Sequence, residues 1–77
     1  KKEQEKQIRR LKKAVESVEA ELAAVEEQIA LWDTKLAEAT EYIESDYATY
    51  NSLKERYDHL MHEWEKRSYE LELVEEQ

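Results

Sequence analysis

The sequence predicts an all-α fold, a two-helix antiparallel coiled-coil hairpin forming one domain over residues 1–77. Three observations predict it. Apolar residues recur in alternating steps of three and four along most of the chain. The chain has no Gly and no Pro, so nearly every position is free to be helical. One stretch departs from the Glu/Lys/Ala/Leu background: EYIESDYATYNS, residues 41–52, where four of twelve residues are Ser, Thr or Asn and three are Tyr. A chain of 77 residues has room for one structural unit.

The first helix is predicted from about residue 3 to 41. Ile8, Leu11, Val15, Val18, Leu22, Val25, Ile29, Trp32, Leu36, Ala39 and Ile43 form an unbroken a/d seam over five heptads. Such a stripe needs a helical partner packed in a left-handed sense.

The turn is predicted at about 42–45. Beyond it the seam resumes in the same phase with Tyr50, Leu53, Tyr57, Leu60, Trp64, Leu71 and Val74, broken only by Asp46 and Arg67. Continuity of phase is also what one uninterrupted helix would show, a rod on the order of 115 Å at ~1.5 Å per residue, paired with a second copy. In a parallel rod, however, Asp46 would face its own copy and place two carboxylates in the seam, at a cost in desolvation and repulsion. At a fold point it has no partner layer. Thr40, Ile43 and Thr49 are β-branched and weaken helix here. The hairpin is therefore favoured, although without Gly the exit from the first helix would need a non-Gly residue in any left-handed position.

The second helix is predicted from about 46 to 75. Ser45 and Asp46 are candidate N-caps, and Ser52-Leu53-Lys54-Glu55 offers a capping box for a later start. Folding about residues 44 and 45 sets Leu36 against Leu53, Trp32 against Tyr57, Ile29 against Leu60, Val25 against Trp64, Val18 against Leu71 and Val15 against Val74. Small residues then meet large ones, as interdigitated packing requires. Leu22 meets Arg67, whose methylenes can lie over it.

Composition excludes most chemistry. A phosphate-cradling loop needs Gly where backbone amides approach the ligand, so no Walker A or dinucleotide fingerprint exists in these residues. Without Cys there is no thiol nucleophile, disulfide or Cys-ligated zinc. No apolar run approaches the ~20 residues of a membrane span. His59 and His62, with Glu55 and Glu63 near, have a spacing that can hold zinc, or they simply flank Leu60 on a solvated face. Glu26-Glu27 and Glu75-Glu76 read as solvated faces, since a general acid needs a desolvated pocket. No catalytic, cofactor-binding or metal residue is assigned. The chain starts on KKEQEK without an initiating Met, and it reads as a segment of a longer protein.

Charge is segregated. Residues 1–13 carry seven basic side chains against Glu3 and Glu5, a balance of +5, and the other 64 residues carry five basic and eighteen acidic ones, a balance of −13. An acidic body repels phosphate backbones, whereas Lys2, Lys6, Arg9, Arg10, Lys12 and Lys13 are candidate nucleic-acid contacts. The alternative is that they keep a helix end soluble. Tyr42 and Tyr47, beside the turn, are candidate stacking residues for bases, or they staple the loop.

The basic-then-acidic first helix, the break LAEATEYIESDY and the following YNSLKERYDHLMHEWEKRSYELE together resemble the C-terminal coiled-coil extension of bacterial ABC-F ATPases. These are the Uup-like ABC proteins without transmembrane segments. Leu60, Trp64 and Glu65 match the Leu-x-x-x-Trp-Glu ending of that extension's second helix, and Tyr42, Ser45 and Asp46 match its turn loosely, without its usual Pro. The resemblance implies a cytoplasmic parent that binds ATP and Mg outside this segment, and docking on ribosome or DNA through the extension. The competing reading is a structural or oligomerisation coiled coil with no nucleic-acid ligand, and a homodimer is left open by both.

Overall fold

In the computed structural model, which describes residues 2–76, α1 (Lys2–Glu38) and α2 (Glu44–Glu75) pack side by side, joined by residues 39–43. The fold is the all-α helical hairpin that the seam predicts. Its extents are 60 × 15 × 14 Å, half the length of the alternative rod. No described helix is long and apolar enough to cross a membrane.

α1 places Glu3 and Glu5 in its first turn and Lys35 in its last, signs that suit a helix dipole, whereas Lys2 and Lys6 at the same start oppose it. It ends at Glu38, three residues before the predicted boundary, and Ala39 N–H donates to the Leu36 carbonyl at 3.4 Å to close the final turn. The connection contains no positive φ, so the chain reverses without Gly. Ile43 is extended at φ −118°, ψ 111°, a conformation that β-branching favours, and α2 starts on the next residue.

Neither Ser45 nor Asp46 is therefore an N-cap; both lie inside the first turn of α2, and no side chain caps that helix. Instead Asp46 N–H and Tyr47 N–H donate to the Ile43 carbonyl at 3.1 and 3.4 Å, and Glu44 and Asp46 bring negative charge to the helix start. Ser52 and Glu55 are mid-helix and form no capping box. Tyr42 and Tyr47 stack with centroids 4.9 Å apart at 24°, tying the loop to α2.

The predicted layers are shifted by one heptad. Three hydrogen bonds that cross the hairpin join Trp64 to Glu19, Tyr57 to Glu26 and Tyr50 to Asp33. Trp64 thus lies beside Val18, not opposite Val25; Tyr57 lies beside Val25, not opposite Trp32; and Tyr50 lies beside Trp32. The fold centre is residue 41, the middle of the connection, and the seam then sets Leu60 against Leu22, Leu53 against Ile29, Leu71 against Leu11 and Val74 against Ile8. The pairings Leu36–Leu53, Ile29–Leu60, Val18–Leu71, Val15–Val74 and Leu22–Arg67 do not form. Both registers match a positions to d positions, so periodicity alone does not separate them.

What separates them is the use of the chain. Within these 77 residues, folding at 44 and 45 leaves Ile8 and Leu11 with nothing opposite. Folding at 41 covers both, leaves Ala39 and Ile43 exposed in the connection and sets Leu36 level with Asp46. Val74 is buried at this end of the hairpin, and Gln4 Nε2 donates to its carbonyl at 3.0 Å. Arg67 falls level with Val15, its guanidinium paired with Glu63 and Glu70 of its own helix at 3.5 Å each.

The core occupies the middle of the rod. Val18, Leu22, Val25 and Leu60 are buried together, and Ile29, Leu53, Tyr57, Met61 and Trp64 pack against them half-buried. Trp32, Leu36 and Leu71 are also half-buried seam residues. A two-helix seam has no third wall, so its aromatic rings stay partly in water.

Candidate functional site

The basic segment is a surface. Lys2, Lys6, Arg9, Arg10, Lys12 and Lys13 are all exposed on the first turns of α1, at the end of the rod remote from the loop; Lys1 lies outside the described residues. At 100° per residue, Lys2, Lys6, Arg9 and Lys13 share one face, Arg10 borders it and Lys12 lies on the far side toward the seam. Among the described residues the ion pairs are Arg56–Glu21, Arg67–Glu63 and Arg67–Glu70, and none involves these cations.

The loop is a second exposed surface at the other end. Tyr42 is 74% exposed and Tyr47 37%, with Ile43 between them in sequence also exposed. Each ring covers one face of the other. The basic segment and the tyrosine tip thus sit at opposite ends of a 60 Å rod and do not form a single site.

His59 and His62 are exposed on α2. His62 Nδ1 donates to the Asp58 carbonyl at 2.9 Å; a carbonyl only accepts, so this nitrogen carries a proton. Among the described residues no group of three His, Cys, Asp or Glu side chains is placed to hold a metal ion.

One constellation escaped the sequence reading. Tyr50, Tyr57 and Trp64, seven apart on α2, donate to Asp33, Glu26 and Glu19, seven apart on α1, at 2.5, 3.0 and 3.1 Å. The signal was present, because aromatics at seam a positions are too large to disappear between two helices, and carboxylates stand at the flanking e positions of the partner. Only the correct register brings them together. The opposite flank is bridged differently, by Arg56–Glu21 at 3.6 Å, and Lys35 lies over the Trp32 ring with Nζ 4.3 Å from its centroid.

The bond to the Glu26 carboxylate, and the negative charge of that group, hold the Tyr57 hydroxyl above the ordinary tyrosine pKa. The folded state therefore favours the protonated hydroxyl. This contribution is complete below the usual tyrosine pKa of about 10 and is lost as pH rises through the elevated folded value. In a spectrophotometric alkaline titration Tyr57 should ionise above the ordinary tyrosine range. Glu26→Gln should move the alkaline end of the titration curve to lower pH; a variant curve that overlays the wild type would disprove the pairing in solution.

No family model, curated relative or solved structure matches this chain.

Proposed function

We propose that the hairpin is a non-catalytic arm of a larger protein that touches a nucleic-acid partner, ribosome or DNA, through the basic start of α1. One observation carries this reading: six exposed cations without an ion-pair partner among the described residues are confined to one end of a rod whose remainder is strongly acidic. Phosphates are attracted to that end and repelled elsewhere, so the contact is oriented as well as weak. The resemblance to the ABC-F extension supports the same reading and suggests a cytoplasmic ATPase as the parent, with ATP and Mg bound outside this chain. The sequence adjoining these residues in the full protein tests that parent: Walker A and ABC signature motifs upstream support it, and their absence removes it.

The contact itself is tested by titrating labelled duplex DNA and RNA hairpins with the hairpin at two salt concentrations. Binding should be weak and should fall with salt, log K dropping by roughly 0.9 per phosphate contact for each tenfold rise on duplex. Replacing Arg9, Arg10, Lys12 and Lys13 by Gln should abolish it. Binding that persists in that variant, or ignores salt, would move the contact away from α1, with the Tyr42–Tyr47 tip the next surface to test. No binding by the wild type at low salt would leave the structural coiled coil as the function.

A further inference from the structure

The flank that carries the aromatic–carboxylate bonds is grooved. Between Trp64 and Tyr57 lies an open hollow of about 360 Å³ over Leu22, Ala23 and Met61. On the other side of Tyr57 a second, of about 260 Å³, lies over Ile29 and Ala30 and is bordered by Lys54. Glu19 and Glu26 border the first, Glu26 and Asp33 the second. The two hollows share Tyr57 and Glu26, so they follow one another along the helix axis at one-heptad spacing, roughly 10 Å at 1.5 Å per residue.

We propose that this flank is a docking groove for a cationic amphipathic helix of a partner protein, which adds a third helix to the hairpin. Three features fix the class of partner. The alanines at 23 and 30 leave floor space where a larger residue would close the groove, and hollows at heptad spacing receive the a or d knobs of a helix. The rim carboxylates select positive flanking residues. A second copy is disfavoured, because flank against flank would bring two sets of Glu19, Glu26 and Asp33 into one interface. The basic start of a second copy is equally unsuitable, since its apolar Ile8 and Leu11 are engaged in their own seam. This groove is separate from the basic contact surface and does not depend on it.

The probe is a synthetic three-heptad helical peptide with Leu at a and d and Arg or Lys at the flanking positions. The protein is the Trp32→Phe variant, in which Trp64, at the groove wall, is the sole indole. Binding should shift Trp64 emission to shorter wavelength and weaken as salt rises. A scrambled peptide of the same composition, lacking the apolar stripe, should bind at least tenfold more weakly, as should the Leu-striped peptide carrying Glu in place of its cations. Ala23→Gln with Ala30→Gln, both at exposed positions, should reduce affinity at least tenfold while the circular-dichroism melt is unchanged. Equal binding of the scrambled peptide, binding that leaves Trp64 emission unmoved, or full affinity in the double-Gln variant would each overturn the proposal. So would a salt-stable dimer of hairpins that the double-Gln change dissociates, which would give the groove to a second copy.

Discussion

Leu60→Ala should leave the hairpin largely unfolded at room temperature. Leu60 is 6% exposed and is the one buried side chain that α2 contributes to the central cluster, where it closes over Val18, Leu22 and Val25. Truncating a buried Leu removes its transfer free energy and leaves a cavity, about 2–5 kcal/mol together. A core in a chain this small rarely supplies more than about 3–5 kcal/mol in all. The loss is thus comparable with the whole stability, and two helices offer little surrounding structure to collapse into the gap. Leu31→Ala is the matched control: the same deletion on the same fold, at a side chain 67% exposed, should shift stability by no more than about 0.5 kcal/mol. Urea or thermal melts followed by helical circular dichroism make the comparison. Equal midpoints for the two variants would mean that Leu60 does not lie in the seam.

The same cluster shows how far the sequence could be read. Val18, Leu22, Val25 and Leu60 stand at heptad positions, and their burial follows from periodicity because any helix pairing must cover that stripe. The reversal of the chain was legible too, from Asp46 in the seam and the β-branched residues around it. The register was not, because shifting a pairing by seven leaves every a opposite a d. In the observed register Ile8 and Leu11 are half-buried while Ala39 and Ile43 stay exposed, and the loop closes through Ile43 in an extended conformation and not through a side-chain cap. The grooved flank was hidden for the same reason. Glu19 and Trp64 are 45 residues apart, and their hydrogen bond exists in one register and not the other. The exposed cations were legible from charge alone, since nothing in a two-helix fold buries a lysine on the outer face of its first turns.

That register can be tested directly, and the effect is the second largest expected. Replacing Ile8 and Leu11 together by Ala should cost about 2–4 kcal/mol, roughly half the usual penalty for two fully buried residues, because both are half-buried at the base. Loss of these two layers also frees Leu71 and Val74 opposite them, so the Gln4 bond to the Val74 carbonyl should break with them. Hydrogen exchange should therefore accelerate at both helix ends of the base, in residues 5–12 and 70–75, before the central cluster responds. Ala39→Gln should do almost nothing, as Ala39 lies exposed in the connection with no layer facing it. A fold centred on residues 44 and 45 makes the opposite demands. There Ile8 and Leu11 face no partner and their truncation is silent, whereas Ala39 packs against Tyr50 and a longer side chain overfills the layer, a fault that typically costs about 1–3 kcal/mol. The pair of variants thus gives contrary results in the two registers. A silent double truncation combined with a destabilising Ala39→Gln would place the turn three to four residues later and dissolve the aromatic–carboxylate flank with it.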